Sequence, residues 1–299
     1  MDDADRCRGC LLGLAVGDAV GTTVEFAPRG SFAPVTDMVG GGPFNLRPGE
    51  WTDDTSMALC LATSLLERRG FDARDQMERY CRWWEQGYMS STGKCFDIGN
   101  TVRGALMRFQ QTGEPFAGSP QPHTAGNGSI MRLAPAAMFW SSNADDAIKY
   151  CGESSRTTHG AAECVDACRY LGLVLRRALQ GASKEEMLAD CGEDVVAAPA
   201  IRALAAGSYR RKSVDEIRGS GYVVQSLEAA LWCFWQGDSF GECVLAAVDL
   251  GEDADTTGAI CGQMAGAFYG ESGIPRQWVE RLVQASEIRE MADRLGAGF

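Results

Sequence analysis

The chain has 299 residues, of which 45% are hydrophobic, and a formal net charge of -12. This length and composition allow a large buried core and argue against a disordered protein. The negative charge argues against nucleic acid or an anionic membrane surface as a general partner, because both select cationic patches.

The N-terminal residues 1–5 are acidic, whereas a secretory signal would be basic, and we find no apolar run that approaches the length needed to cross a bilayer. We therefore expect a cytoplasmic protein without membrane insertion. From Gly9 to Gly21, glycines recur every four residues in an apolar segment. This spacing predicts a helix that packs closely against a neighbour.

Three apolar stripes predict further helices. The first runs from Met57 to Leu66 and is followed by Gly70, a typical C-terminal stop. The second runs from Cys164 to Leu179 and ends before Gly181. The third runs from Trp278 to Leu295 and predicts one helix that begins at Pro275, a favoured first position.

Glycines spaced by four residues recur from Gly262 to Gly270 and predict a second closely packed helix. Strand patterns are scarce, and hairpin turn pairs flanked by alternating residues are missing from the sequence. We therefore expect an all-α fold, with residues 1–299 forming one domain. Glycine- and proline-rich loops are expected at 28–49 and 111–128.

The 12 cysteines do not require a disulfide framework in a chain of this length without an export signal. Cys7 and Cys10 have zinc-like spacing, but the sequence contains no second such pair. We interpret the cysteines as reduced thiols. Six of them fall in apolar helical stretches and are predicted core residues: Cys60, Cys164, Cys168, Cys233, Cys243 and Cys261.

Two acidic clusters stand near opposite ends of the chain, at Thr52–Thr55 and at Asp253–Thr257. Either cluster alone is explained as a helix start, where acidic residues favour the helix dipole. Together they predict one site, because closely packed carboxylates repel one another unless they share divalent cations. Their hard oxygen ligands favour Mg²⁺ or Mn²⁺. An EF-hand is excluded because Met264 occupies its closing ligand position.

Six segments occur in the order found in the ADP-ribosylglycohydrolase family, which the chain resembles from about Cys10 to about Trp278. These segments are Gly13–Gly21, Glu25–Phe26, Thr52–Thr55, Asp97–Thr101, Gly126–Arg132 and Gly251–Gly258. The likeness is strongest to the bacterial branch of dinitrogenase reductase activating glycohydrolases, which remove ADP-ribose from arginine. The resemblance implies an orthogonal helical bundle with two Mg²⁺ or Mn²⁺ ions in a central cleft.

The resemblance also implies roles for individual residues. The metal ligands would be Thr52, Asp53, Asp54, Asp253, Asp255 and Thr256. The ribose and diphosphate of ADP-ribose would be held by Asn100 and by a loop that contains Gly126, Asn127, Gly128, Ser129 and Met131. Tyr222 would pack against adenine, and His159 would contact the substrate or lie behind the ligands.

Ordinary structural explanations remain open for several of these residues. Backbone N–H groups of a Gly-Asn-Gly-Ser turn can converge on phosphate oxygens, but such a turn is also common without a ligand. Asn100 is also explained as a helix cap, Tyr222 as a packing aromatic, and Asp97 as a turn residue.

Hydrolysis of an N-glycosidic bond needs an activated water and a proton for the leaving group. We expect Asp97 to transfer this proton, with Glu25 as the second candidate. Glu252 departs from the family, whose close relatives have glycine there, and adds bulk and charge beside the expected ligands.

We therefore predict a Mg²⁺- or Mn²⁺-dependent hydrolase that binds ADP-ribosylated protein and releases ADP-ribose from arginine. Two alternatives remain within the family: hydrolysis of serine-linked or O-acetyl-ADP-ribose, and a non-catalytic ADP-ribose-binding protein. Outside the family, the Asp253–Thr257 segment is similar to the nucleophile loop of haloacid-dehalogenase-type phosphatases. That fold needs alternating strands and helices, which this sequence does not predict.

Overall fold

The computed structural model describes residues 2–297, which form 14 α-helices, five short 3-10 helices and no strand longer than an isolated bridge. This confirms the all-α prediction. The helices are α1 Asp3–Gly21, α2 Asp53–Arg68, α3 Ala73–Gln86, α4 Asn100–Thr112, α5 Ala134–Phe139, α6 Ala144–Thr158, α7 Ala162–Leu179, α8 Lys184–Met187, α9 Pro199–Ala205, α10 Val223–Gln236, α11 Phe240–Val248, α12 Ala254–Tyr269, α13 Arg276–Arg281 and α14 Ala285–Gly296.

Helices α1 and α12 form the closest helix pair of the core, and glycines from both helices line their contact. A Cβ atom added at Gly17 would lie 2.1 Å from the carbonyl oxygen of Gly258, and one added at Gly262 would lie 2.0 Å from that of Gly13. Backbone therefore meets backbone, as the glycine spacing predicts. At one end of the contact Gly21 lies against Ala254, so the end of α1 adjoins the start of α12.

The expectation that no segment is long enough to cross a membrane is wrong for helix α1. The segment Asp3–Val24 meets that requirement by length and composition, with a mean hydropathy of 1.2. In this fold 89% of the tested stretch is buried inside the protein. Packing against α12 and the rest of the core accounts for its apolar character.

Two predicted helix ends differ in the structure. Helix α2 ends through Arg69, which adopts the left-handed conformation at φ 54°, so the terminating residue is not Gly70. The single helix predicted from Pro275 to Leu295 is two helices, α13 and α14. Between them the N–H of Val283 donates to the carbonyl of Gly49 at 3.0 Å, and Gln284 has φ 58°. At Val283, this hydrogen bond to a residue distant in the sequence replaces the hydrogen bond that a continuous helix would form.

Other sequence predictions agree with the structure. Helix α7 matches the second stripe, and Gly181 follows it at φ 81°. The loop at 28–49 contains no α-helix, whereas the start of the second predicted loop belongs to α4, which continues to Thr112. All six cysteines assigned to the core are buried, which confirms their placement.

Candidate active site

The two acidic motifs meet at the first turns of α2 and α12. The hydroxyl of Thr52 lies 3.2 Å from Oδ2 of Asp255, and that of Thr256 donates to Oδ2 of Asp54 at 3.3 Å. Residues about two hundred positions apart thus share one buried cluster. Both helices direct their N-terminal dipoles toward it, which favours negative charge there.

Asp18 of α1, to which the sequence analysis gave no role, holds the first motif in place. Its carboxylate accepts hydrogen bonds from the backbone N–H and hydroxyl groups of Thr52 and Thr55 over 2.6–3.1 Å. Asp18 therefore acts as the capping residue of α2, because the side chain of Thr52, which occupies the N-cap position, accepts no capping hydrogen bond. In the sequence, this role was indicated only by a charged residue inside an otherwise apolar, glycine-rich helix.

The ionised form of the carboxyl groups in this cluster is energetically unfavourable. Burial first, and then neighbouring negative charge, raises the pKa of Asp53, Asp54 and Asp255 well above the ordinary value. Burial also raises the pKa of Asp253. The pKa of Asp18 rises only to about 6, because four hydrogen-bond donors oppose the effect of burial.

Glu25 and Asp97 belong to the same cluster. Ligand atoms of Glu25, Asp97 and Asp255 all lie within 4.8 Å of one another. Burial and then the charge of Asp97 raise the pKa of Glu25 to about 10. Burial and then the charge of Asp253 raise the pKa of Asp97 to about 7. This geometry allows both residues to hold a proton or to contact a cation.

The donor set fits divalent cations. Oε2 of Glu25 and Oδ1 of Asp54 are buried and have no hydrogen-bond partner among the described residues. Such unpaired oxygens are costly unless a ligand satisfies them. The cluster supplies only carboxylate and hydroxyl oxygen, the ligand type that Mg²⁺ and Mn²⁺ prefer.

A cavity of about 360 Å³ opens above this cluster, and Glu25, Asp53, Asp97, Asp253 and Thr256 contribute to its lining. Thr52, Asp54 and Asp255 lie beneath it as buried residues. The predicted ligands thus divide into a layer that faces the cavity and a layer that supports it.

The predicted phosphate loop forms one wall of the cavity through Gly126, Asn127, Gly128 and Met131. The side-chain amide of Asn127 donates to Oδ2 of Asp253 at 2.7 Å, which ties the loop to the acidic cluster. Ser129 does not line the cavity: it is 1% exposed, and its hydroxyl accepts from that of Ser155 at 3.0 Å. The backbone N–H groups of Gly128 and Ser129 have no acceptor within the described part of the chain.

His159 packs against this loop and also contributes to the cavity lining. It is buried, and a Cβ atom added at Gly128 would lie 2.9 Å from its Cε1 atom. Burial lowers the pKa of His159 to about 3, so the ring is neutral. Asn100 is the first residue of α4 and lines the cavity. The capping position belongs to Gly99, which removes helix capping as the explanation of Asn100.

Tyr222 and Glu252 lie at the edge of the site, and neither lines the cavity. The Tyr222 hydroxyl donates to Glu163 at 2.8 Å, and its backbone forms a bridge with Gly126. Glu252 has φ 58°, and its N–H donates to the carbonyl of Ala27 at 2.8 Å. Its left-handed backbone is the conformation that glycine adopts most easily, which explains a preference for glycine there.

Fold and site together define an all-helical protein with a buried oxygen-only acidic centre beneath an open cavity. A sequence profile of the ADP-ribosylglycohydrolase family matches residues 1–299. The chain belongs to this family, as its motifs predict.

Characterised relatives match over nearly the whole chain. The ADP-ribosylarginine hydrolase Tri1 of Pseudomonas putida is 48% identical over 291 residues, covering 97% of this chain and 78% of the relative. Tri1 of Serratia proteamaculans is 44% identical, covering 98% and 80%. The ADP-ribosyl-[dinitrogen reductase] glycohydrolase of Rhodospirillum rubrum is 34% identical, covering 97% and 95%. The two Tri1 proteins are therefore more similar to this chain than the dinitrogen reductase enzyme is.

A solved structure described as an ADP-ribosylglycohydrolase-related protein complex has the same fold. It aligns with a TM-score of 0.89 and 44% identity, covering 99% of this chain and 98% of that one.

Proposed function

We propose that this protein is a Mg²⁺- or Mn²⁺-dependent hydrolase that releases ADP-ribose from arginine side chains of modified proteins. The observation that carries the proposal is the meeting of Asp54 and Asp255 in one buried cluster with unpaired carboxylate oxygens. The similarity to proteins named ADP-ribosylarginine hydrolase supports the choice of arginine.

Six side chains are proposed to hold two cations: Thr52, Asp53, Asp54, Asp253, Asp255 and Thr256. Two bound cations would polarise ribose hydroxyls and lower the pKa of a bound water. Asp18 keeps Thr52 and the start of α2 in position, and Asn127 orients Asp253. The backbone N–H groups of Gly128 and Ser129 are available to the diphosphate.

Hydrolysis breaks the bond between the anomeric carbon of ribose and a guanidine nitrogen. The hydroxyl of water goes to the carbon, and its proton goes to the nitrogen. We propose Glu25 and Asp97 as the groups that hold this proton, because both line the cavity and their ligand atoms lie within 4.8 Å of one another. We propose Asn100 as a ribose contact and Tyr222 as the packing surface for adenine, within a cytoplasmic protein that binds no nucleic acid.

The test compares arginine-linked and serine-linked ADP-ribosylated proteins as substrates, with Mg²⁺, Mn²⁺ or EDTA. We expect metal-dependent release from arginine. The substitutions Asp54→Asn and Asp253→Asn should each reduce turnover by about 100-fold or more, because the cations lose compensating charge. Asp145→Asn is the matched control, since Asp145 also lies in the first turn of a helix but is exposed.

Each contrary result identifies an alternative. Turnover that EDTA leaves unchanged would contradict the metal-dependent mechanism. Faster release from serine would replace the proposed linkage. Stabilisation by ADP-ribose without turnover of either substrate would indicate a binding protein.

A further inference from the structure

Three neighbouring aromatic side chains form a rim beside the cavity, and one of them, Phe26, lines it. Phe26 lines the cavity and is 64% exposed, an unusual exposure for a large apolar side chain. Its ring contacts Phe44 edge to face, with centroids 6.4 Å apart. Phe44 in turn lies 5.2 Å from Phe96, measured between ring centroids. We call these three residues the aromatic rim.

The aromatic rim is joined to the carboxylates below it through the backbone. Phe26 directly follows Glu25, and Phe96 directly precedes Asp97. Ligand atoms of Glu25 and Asp97 lie within 4.8 Å of one another, and both residues line the same cavity as Phe26. The cavity therefore presents aromatic surface at its mouth and carboxylate oxygen beneath.

The backbone holds Phe26 in a costly conformation. Its φ is 62°, a left-handed value that side chains other than glycine rarely adopt. Its N–H donates to the carbonyl of Glu252 at 2.6 Å, so the residue is tied to the segment that carries Asp253. Such strain is commonly retained where a side chain must point into a functional site.

The Phe44 segment is also fixed in place. Gly41 and Leu46 exchange two backbone hydrogen bonds of 2.7 and 2.9 Å, which closes a tight turn around Phe44. A Cβ atom added at Gly42 would lie 1.9 Å from the carbonyl oxygen of Thr22, so the turn rests directly on the backbone that follows α1. The aromatic rim is thus a built feature of the fold.

Within the rim Phe26 is exposed and Phe44 and Phe96 are partly buried, whereas cations of this chain cover other aromatic rings. Arg82 lies 3.9 Å from the ring centroid of Tyr88, and Arg156 lies 4.5 Å from that of Phe116. Within residues 2–297, no Arg or Lys side chain occupies a ring of the rim in this way. The rim therefore leaves room for a cation from another molecule.

A guanidinium group matches both parts of this site. It is planar and cationic, stacks on aromatic faces, and donates hydrogen bonds to carboxylates in its own plane. Oε2 of Glu25 is buried without a partner and can accept such a bond. A serine side chain offers neither the charge nor the plane.

We propose that the aromatic rim, together with Glu25 and Asp97, is the subsite for the guanidinium of the modified arginine, and that Phe26 determines specificity for arginine. This inference rests on the proposed function and extends it to the leaving group.

The first experiment measures product binding and needs no turnover. The protein is saturated with ADP-ribose and Mg²⁺, and a peptide with one arginine is titrated by calorimetry beside the same peptide with serine. We expect the arginine peptide to bind the native protein at least about 10-fold more tightly. Phe26→Ala should weaken its binding by about 3- to 30-fold and leave ADP-ribose binding unchanged.

The second experiment measures kcat/KM on arginine-linked and serine-linked ADP-ribosylated proteins. Phe26→Ala should lower kcat/KM for the arginine-linked substrate by a similar factor and leave any kcat/KM for the serine-linked substrate unchanged. Phe26→Trp should keep the preference for arginine. Phe116→Ala is the matched control, because Phe116 is 41% exposed and belongs to a separate aromatic cluster with Phe71.

Equal binding of the two peptides to the native protein, or no binding of the arginine peptide, would overturn the subsite. Equal losses of kcat/KM on both linkages in Phe26→Ala, or the same loss in Phe116→Ala, would also overturn the subsite. Preferential binding of the arginine peptide without hydrolysis of either linkage would support the subsite and refute the proposed hydrolase.

Discussion

Asp18 illustrates why a residue can be essential to a site without facing the cavity. It is fully buried in α1, and among the described residues its two oxygens receive donors only from Thr52 and Thr55. The sequence showed it only as a charge in an apolar helix. Its partners lie more than thirty positions away, so no local pattern could connect them.

Replacing Asp18 should therefore damage activity through the position of α2. In Asp18→Asn, the amide nitrogen would face backbone N–H and hydroxyl donors, so at least one buried donor loses its acceptor. We expect a loss of roughly 1–3 kcal/mol in the free energy of unfolding and a fall of about 10- to 100-fold in kcat/KM. Urea unfolding and Mg²⁺-saturated kinetics measure the two effects.

Asp166→Asn provides the control. Asp166 is also buried and accepts from the N–H groups of Ala197 and Ala198, both at 2.8 Å, outside the cavity lining. The Asp166→Asn variant should lose a comparable amount of free energy of unfolding and keep its kcat/KM. Equal losses of kcat/KM in both variants would show that general destabilisation, and not the position of α2, explains the effect.

At the scale of elements, helices with a regular stripe and a local stop were predictable. Helix α7 is an example, because its periodicity and Gly181 both lie within the segment itself. The break between α13 and α14 was not predictable, since it depends on the hydrogen bond between Val283 and Gly49. Long-range hydrogen bonds override a local pattern that favours one helix.

The glycine contact between α1 and α12 gives a prediction at this scale. Gly17→Ala places a methyl group 2.1 Å from the Gly258 carbonyl oxygen, where only movement of the backbone can make room. We expect a loss of about 3 kcal/mol or more in the free energy of unfolding. Because Asp18 and Asp255 adjoin this contact, Mg²⁺ should also stabilise the variant less than the native protein.

Gly104→Ala is the matched substitution. Gly104 lies inside α4, and an added Cβ atom meets only the flexible end of Arg108 at 3.5 Å. Alanine is the better helix former, so this variant should gain up to about 1 kcal/mol. Urea unfolding of both variants measures the difference, and equal effects would contradict the close contact.

For the whole molecule, the sequence predicted that its two acidic motifs meet, because two carboxylate-rich motifs in one chain favour a shared cation site although either alone is explained as a helix start. The sequence analysis named Asp97 and Glu25 as candidates for proton transfer beside the metals, and in the structure ligand atoms of both lie within 4.8 Å of one another and of Asp255. Their placement depends on two residues with positive φ, Phe26 at 62° and Asp97 at 59°. The preceding loops, and not a periodic pattern, determine such conformations.

The charge of this cluster makes the stability of the whole protein depend on pH and metal. The pKa of Asp18 is raised to about 6 and that of Asp97 to about 7, so the folded state binds more protons than the unfolded state. Stability without metal should therefore be greatest near pH 4 and fall as the pH rises through 7. Mg²⁺ or Mn²⁺ should reverse this loss by binding the ionised carboxylates.

Thermal unfolding with EDTA or Mg²⁺ at pH 5 and pH 8 measures this linkage. We expect a larger increase of Tm with Mg²⁺ at pH 8 than at pH 5. Asp54→Asn should raise the Tm of the metal-free protein, since it removes one repelling charge, and should reduce the increase with Mg²⁺. An equal increase at both pH values would contradict the linkage.

The pairing of α1 with α12 also bears on how the protein is made. During translation α1 leaves the ribosome well before α12, whose glycine face covers it, because the segment between Gly21 and Ala254 is synthesised in the meantime. Until then the nascent chain carries an apolar helix without its partner and half of a carboxylate cluster. Protection from aggregation in that interval falls to chaperones or to temporary contacts within the unfinished chain.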